Sequence, residues 1–105
     1  NLALNYGSKN EIIDSVKKLI KNKEIINIKN IDKNLYTKFI PKPDILIRTG
    51  NTNRISNFLL WQIAYSELYF TKKLWPDFRK KDLYDAIVSY QNRERRFGKT
   101  SEQLN

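Results

Sequence analysis

The fold is decided by residues 43–62, which read PDILIRTGNTNRISNFLLWQ. This stretch predicts a short apolar strand at residues 44–47, a polar loop that contains Gly50, and an apolar helix that begins near Ser56 or Asn57. In a parallel α/β sheet the carboxyl end of a strand lies beside the N-terminus of the next helix, whose free N–H groups and dipole favour an anion. The sequence therefore predicts a phosphate or diphosphate site at this loop.

Three polar side chains surround the loop. Arg48 closes the predicted strand, and Arg54 and Ser56 are two residues apart, so in extended backbone they point the same way. A guanidinium group suits bidentate phosphate contact. The alternative is that Arg48 pairs with Asp44 or another carboxylate and that Ser56 is only a helix N-cap. We interpret Arg48, Arg54 and Ser56 together as an anion site.

The carboxylate of Glu67 lies at the start of another predicted strand. Residues 67–70 read ELYF, and a carboxylate beside such an apolar run is costly unless it is paired or bound to a metal. Glu67 is therefore a candidate magnesium ligand that faces the phosphates. The alternatives are a solvent-facing edge residue or an ion-pair partner for Arg54.

The arginine-rich segment RERRFG at residues 93–98 is a further candidate. One interpretation is a basic helix C-terminus, which the helix dipole favours. The other is a contact to a phosphate or to a partner subunit, made through Arg96 and Gly98.

Local patterns predict the first two elements. Residues 2–6 form an apolar run that ends at Gly7 and predict a buried strand. Ser8 followed by Glu11 predicts a capping box, in which Ser8 caps a helix and Glu11 reaches back to it. Asn5, Gly7 and Ser8 are either a second substrate loop or a plain turn between strand and helix.

Two later helices complete the pattern. Asp32 is the predicted cap of a short helix at residues 33–39, and a final helix is predicted at residues 80–97 with Gly98 at its C′ position. Strands that alternate with helices are typical of α/β proteins. We therefore predict an α/β domain with a parallel sheet flanked by helices.

The composition limits the chemistry. The 105 residues contain no cysteine and no histidine, so thiolate metal sites and histidine bases are excluded, and a metal needs oxygen ligands of the kind that Mg²⁺ prefers. The net charge of +9 fits nucleic acid, an anionic membrane surface or a phosphorylated substrate, or else solvated lysines with no such role. No apolar run approaches the roughly 18 residues of a membrane helix. No secretory signal is visible, and we expect a cytoplasmic protein.

Several motifs resemble, in the same order, those of the cis-prenyltransferases, the family of undecaprenyl diphosphate synthase. They are NYG at 5–7, DILIRTG at 44–50, RISNFLLWQ at 54–62, ELYF at 67–70, WPDF at 75–78 and RERRFG at 93–98. The resemblance covers nearly the whole chain. It implies that residues 1–105 are the C-terminal part of a single cis-prenyltransferase domain.

The resemblance implies a role for the loop residues. Arg48, Arg54 and Ser56 would hold the diphosphate of isopentenyl diphosphate, and Glu67 would help to bind Mg²⁺ beside it. The family joins isopentenyl diphosphate to an allylic diphosphate such as farnesyl diphosphate with cis double bonds. The product is the lipid carrier for cell-wall or glycan synthesis.

The resemblance also implies an assembly. A homodimer is expected, with residues 58–63 near the subunit interface and the segment of Arg96 and Gly98 closing a phosphate site. Peripheral membrane contact through the product is expected, and nucleic acid is not an expected partner.

Two departures from the family pattern bear on activity. The family has glycine and glutamate where this chain has Asn51 and Thr52, so a carboxylate is replaced by a hydroxyl. The family's N-terminal half, with the aspartate that binds the metal and the allylic diphosphate, is absent from these residues. The catalytic residues are therefore not identified here, and we expect the isolated 105-residue chain to be inactive.

Two other functions fit the sequence. A non-catalytic, scaffold-like homologue would retain the arginines and tolerate Thr52. A basic nucleic-acid-binding module would use the positive charge, and it predicts salt-dependent binding to oligonucleotides.

Overall fold

The structure is a computed structural model that describes residues 1–104. The chain divides into two compact units that alternate along the sequence. The first unit comprises Asn1–Pro43 and Ile55–Ala64, and the second comprises Asp44–Arg54 and the chain from Tyr65 onward. Among residues 1–104, no helix combines the length and the apolar character needed to cross a membrane.

Two helices form the first unit, α1 (Ser8–Lys21) and α2 (Ile28–Asn34). The apolar stripe of α1 packs against α2 because Leu19 meets Ile31 and Leu35 in a small buried cluster. The C-terminus of α1 is closed at Lys23, whose positive φ of 53° turns the chain so that the N–H of Glu24 donates to the carbonyl of Leu19 at 2.9 Å.

The second unit contains the sheet. Strands β1 (Ile45–Arg48) and β2 (Glu67–Phe70) are parallel, with Ile45 opposite Glu67 and Arg48 opposite Phe70. A 3₁₀ turn (Trp75–Asp77) leads into helix α3 (Lys80–Gln91), which packs against β2, and a second 3₁₀ turn covers Ser101–Leu104. The predicted α/β class, the parallel pairing and both strands are confirmed.

The predicted strand at residues 2–6 is wrong. These residues have no strand conformation, and the side chains of Leu2 and Leu4 are 84% and 77% exposed. A strand needs a neighbouring strand to satisfy its backbone. In the described part of the chain, the two strands present pair with each other.

The predicted helix at residues 56–64 is also wrong. Residues 57–65 form turns and bends, and Ser56, Asn57 and Leu59 all have left-handed backbone, with φ of 56°, 60° and 48°. An α-helix needs negative φ throughout, so these residues interrupt it. The apolar side chains that predicted a helix are used in tertiary contacts instead.

The predicted capping box at Ser8 and Glu11 does not form. Gly7 is the N-cap of α1 and makes no side-chain cap. The Ser8 hydroxyl instead accepts a hydrogen bond from the N–H of Leu60 at 2.9 Å, and the Glu11 carboxylate is fully buried away from the helix start. Both side chains are therefore used in tertiary contacts within the first unit.

The short helix predicted at residues 33–39 is displaced toward the N-terminus. The observed α2 is capped by Asn27, whose side chain accepts from the N–H of Asn30 at 2.8 Å. Asp32 lies inside this helix and accepts from the indole N–H of Trp61 at 2.8 Å. The predicted cap residue thus has a tertiary partner.

The last helix ends six residues before the predicted end at residue 97, because its C-cap is Asn92 rather than a residue beside Gly98. Beyond this point Arg93 and Arg95 bond to Glu67 and Asp44, each at 2.9 Å. The interpretation of residues 93–98 as a helix C-terminus is therefore wrong, since these arginines pair with carboxylates of the second unit rather than with the helix dipole.

Candidate anion-binding site

The loop after β1 is held at the carboxyl edge of the sheet. The N–H groups of Gly50 and Asn51 donate to the carbonyls of Lys73 and Thr71, at 2.7 and 3.1 Å. The N–H of Thr71 in turn donates to the carbonyl of Arg48 at 2.9 Å. The segments that follow the two strands are therefore joined by hydrogen bonds, and Arg48 lies at this junction.

The loop turns through two left-handed residues in succession. Gly50 has φ of 89° and Asn51 has φ of 55°. Asparagine is one of the few residues with a side chain that adopts this conformation readily, so Asn51 replaces the family's glycine without breaking the turn. The hydroxyl of Thr52 donates to the carbonyl of Gly50 at 3.3 Å. This hydroxyl is therefore turned back onto its own loop.

Two arginines of the loop have no carboxylate partner in residues 1–104. Arg48 is half-buried and Arg54 is exposed, and neither guanidinium forms an ion pair or hydrogen bond with the described side chains and carbonyls. Asp44, the alternative partner for Arg48, instead binds Arg95 at 2.9 Å. By contrast, Arg79, Arg93, Arg95 and Arg96 all have partners. Arg48 and Arg54 are the arginines that remain available to an anion.

Ser56 belongs to the first unit, whereas Arg48 and Arg54 belong to the second. Its side chain is exposed, and no helix begins at it, so the alternative interpretation as an N-cap is wrong. Among the described residues its hydroxyl has no hydrogen-bond partner. The role of Ser56 in binding diphosphate remains a prediction.

Glu67 lies at the opposite edge of the sheet from Arg48. It is paired in register with Ile45 at the amino end of the strands, about 10 Å from the carboxyl end by the rise of a strand. Its carboxylate binds Arg93 at 2.9 Å, so its ion-pair partner is Arg93 and not Arg54. Within residues 1–104 no three acidic, histidine or cysteine side chains gather as a metal site. The metal role of Glu67 remains a prediction.

The segment with Arg96 and Gly98 is exposed. Arg96 pairs with Glu94 at 3.2 Å, and the side chains of both are about half exposed. Gly98 has φ of 79°, a conformation that favours glycine, and a Cβ there would lie 3.8 Å from the hydroxyl of Tyr65. The predicted phosphate or subunit contact of this segment is not tested by these interactions and remains a prediction.

A pair of lysines at the carboxyl edge was not singled out from the sequence. Lys72 and Lys73 follow Thr71, two and three residues beyond Phe70, the residue of β2 that lies opposite Arg48. Lys73 binds Asp82 at 3.0 Å, and the N–H of Arg79 together with this lysine lowers the pKa of Asp82. The sequence signal that could have identified the two lysines is their position shortly after a predicted parallel strand.

A buried polar cluster in the first unit was also not predicted from the sequence. The Glu11 carboxylate accepts from the N–H of Tyr36 at 2.7 Å, from the Gln62 amide at 3.0 Å and from the Tyr6 hydroxyl. Gln62 also donates to Thr37 at 2.9 Å. The sequence signal for this cluster was Glu11 itself, a glutamate on the apolar face of α1. It was instead interpreted as part of a capping box with Ser8.

An apolar groove of about 400 Å³ lies in the first unit. Leucines, prolines and the rings of Tyr6, Tyr36 and Phe58 line it, and none of its lining residues is charged. This groove therefore lacks the cations that a diphosphate needs, in contrast to the loop after β1.

Comparisons with known proteins agree on one family. The sequence profile of the undecaprenyl diphosphate synthase family (Prenyltransf) matches residues 1–98. An isoprenyl transferase from Fusobacterium nucleatum is 59% identical over 99 residues, which are 93% of this chain and 43% of that protein.

Two solved structures are similar as well. The crystal structure of a probable undecaprenyl diphosphate synthase from Campylobacter jejuni has a TM-score of 0.84 and 43% identity, over 94% of this chain and 47% of that chain. Lavandulyl diphosphate synthase from Lavandula x intermedia, in complex with dimethylallyl diphosphate, has a TM-score of 0.86 and 38% identity, over 93% of this chain and 45% of that one. The chain spans less than half the length of these relatives. Because this family profile matches residues 1–98, the chain belongs to the undecaprenyl diphosphate synthase family of prenyltransferases.

Proposed function

We propose that the full-length protein is a cis-prenyltransferase that condenses isopentenyl diphosphate with an allylic diphosphate such as farnesyl diphosphate. The product is a long-chain cis-polyprenyl diphosphate, and this chain supplies the site for the isopentenyl diphosphate. The proposal includes a cytoplasmic homodimer that meets the membrane through its product.

The observation that carries the proposal is the pair Arg48 and Arg54. Both guanidinium groups lack a carboxylate partner in residues 1–104, and Arg48 stands at the carboxyl edge of a parallel sheet, where such folds bind phosphates. A diphosphate carries several negative oxygens and matches two bidentate donors. The exposed cation of Lys72 at the same edge adds to the positive potential.

Mg²⁺ is proposed as a requirement of the full-length protein. Glu67 is the ligand proposed from this chain, and Arg93 competes with the metal for one of its two carboxylate oxygens. The metal would neutralise phosphate charge. The residues described here bind and orient the diphosphate, and the groups that act on the allylic substrate lie outside them.

The proposal is tested by measuring incorporation of labelled isopentenyl diphosphate into polyprenyl products by the full-length protein, with farnesyl diphosphate and Mg²⁺. Steady incorporation is expected. Binding of isopentenyl diphosphate is measured in parallel by calorimetry. Loss of both activity and binding would contradict the proposal.

A second function is favoured by Thr52, which stands in place of the family's glutamate and bonds to its own loop. A scaffold-like homologue would bind isopentenyl diphosphate through Arg48 and Arg54 without turnover. Binding without incorporation in the same pair of assays identifies this case. A gain of incorporation in Thr52→Glu would then assign the lost activity to this position.

A further inference from the structure

The first turn of α1 is joined to the turn segment at residues 57–60. The N–H of Ser8 donates to the Asn57 carbonyl at 2.9 Å, and the N–H of Lys9 donates to Asn57 Oδ1 at 2.9 Å. In the opposite direction, the N–H of Leu60 donates to the Ser8 hydroxyl at 2.9 Å. We call these three hydrogen bonds the α1 clasp.

The clasp uses the groups that a helix N-terminus normally leaves free. The first N–H groups of an α-helix have no partner within the helix. Here Asn57 supplies two acceptors from a position 48 residues further along the chain than Lys9. Ser8 is fully buried, and Gly7 and Ser8 both lie against Asn57.

Gly7 gives independent support for this fit. A Cβ at Gly7 would lie 3.0 Å from the Asn57 amide nitrogen, which is tighter than nine in ten such contacts. Gly7 itself has φ of −139°, a conformation open to any residue. A side chain at position 7 would therefore require the Asn57 amide to shift by a few tenths of an ångström, whereas the backbone of Gly7 needs no glycine.

The segment needs such support because its backbone is unusual. Ser56, Asn57 and Leu59 have positive φ, and such conformations persist where surrounding contacts hold them. Ser56 is exposed directly before Asn57, and its own hydroxyl has no partner among the described residues. The hydrogen bonds of Asn57 therefore hold the backbone directly beside Ser56.

We propose that Asn57 is a positioning residue, which holds the Ser56 hydroxyl in place for the diphosphate of isopentenyl diphosphate by docking on the N-terminus of α1. This inference rests on the proposed function. Asn57 itself does not touch the substrate, and its effect is on substrate affinity rather than on the chemical step.

The test compares variants of the full-length protein by KM for isopentenyl diphosphate, kcat and the midpoint of urea unfolding. Asn57→Gly removes the Oδ1 acceptor and keeps the left-handed backbone accessible. The expected result is a rise in KM of about fivefold, the effect of one hydrogen bond, with kcat changed less than about twofold. Gly7→Ala should raise KM less, and this effect should vanish in the Gly7→Ala, Asn57→Gly double variant.

The matched control is Asn27→Gly, which removes the same kind of bond at the N-cap of α2. It should lower the unfolding midpoint by a similar amount and leave KM unchanged. If Asn27→Gly and Asn57→Gly raise KM equally, Asn57 acts only through stability and the inference is overturned.

Ser56→Ala separates the inference from the proposed function. A raised KM in Ser56→Ala with an unchanged KM in Asn57→Gly overturns the positioning role alone. An unchanged KM in Ser56→Ala overturns that role and the assignment of Ser56. A raised KM in Arg48→Ala would still support the diphosphate site itself.

Discussion

Arg93 binds Glu67 and the adjacent backbone at once. Its Nη1 lies 2.9 Å from a carboxylate oxygen of Glu67 and 2.8 Å from the carbonyl of Leu68. Arg93 lies two residues beyond the end of α3 and thereby ties the end of this helix to the start of β2. The same contact occupies the carboxylate that the family resemblance assigns to magnesium.

The first prediction separates these two roles of Glu67. If the carboxylate binds Mg²⁺ in the full-length protein, Glu67→Gln raises the Mg²⁺ concentration for half-maximal activity, and Arg93→Leu lowers it by freeing the carboxylate. Activity is measured against Mg²⁺ concentration for both variants. If the Mg²⁺ dependence is unchanged in both variants, and a double-mutant cycle gives a coupling energy of about 0.2–1 kcal/mol, Glu67 acts only as the ion-pair partner of Arg93.

The second prediction concerns Arg48 and Arg54. Replacing either by alanine should raise KM for isopentenyl diphosphate about 10- to 100-fold, because each charge-assisted hydrogen bond to phosphate contributes about 1.5–3 kcal/mol. Steady-state kinetics of the full-length protein measure this change. Arg79→Ala is the control, since Arg79 bonds to the carbonyls of Pro76 and Phe78 in its own turn. Equal KM values for all three variants would exclude the proposed site.

The third prediction concerns the buried Glu11. Glu11→Ala should lower the free energy of unfolding by about 3 kcal/mol, because it leaves the N–H of Tyr36 without an acceptor in the interior and removes one of the two acceptors of the Gln62 amide. Glu11→Gln retains one acceptor oxygen and should cost less. Urea unfolding measures both, with the exposed Glu24→Gln as control. A loss no larger than that of the control would show that water replaces the carboxylate.

The fourth prediction concerns alkaline pH. Burial, reinforced by the hydrogen bond to Glu11, raises the pKa of Tyr6 above its ordinary value of 10.0. Since the folded-state pKa lies above the unfolded one, the resulting stability is present in full below about pH 10 and is lost as pH rises through the folded value. Unfolding midpoints of the wild type and Tyr6→Phe should therefore converge above pH 10. Parallel curves across this range would contradict the raised pKa.

The elements that were predicted correctly depend on local patterns. The runs DILIR and ELYF are short, apolar and rich in residues that favour strands, and they form a parallel pair at the predicted positions. Helix α1 follows from its apolar stripe. The polar loop between Arg48 and Arg54 was identified from its position directly after a strand, because the carboxyl edge of a parallel sheet is where such loops lie.

The elements that were missed depend on partners distant in sequence. The pattern of Ser8 and Glu11 satisfies the capping-box rule, yet both side chains bond to residues that approach only in the folded unit, Leu60 and Gln62 among them. The apolar run at residues 58–64 has helical spacing. Asn57 binds the N-terminus of α1 instead, and the left-handed residues around it stop a helix from forming.

The sequence by itself determined the family, the parallel strands and the position of the arginine loop, because motifs and strand patterns are local and are read in order along the chain. The tertiary structure decided which charges are paired. In the folded chain Asp44 pairs with Arg95 and Glu67 pairs with Arg93. Arg48 and Arg54 have no carboxylate partner in residues 1–104. The physical reason is that an ion pair depends on distance in space. The end of α3 delivers Arg93 and Arg95 to carboxylates 26 and 51 residues away in the chain.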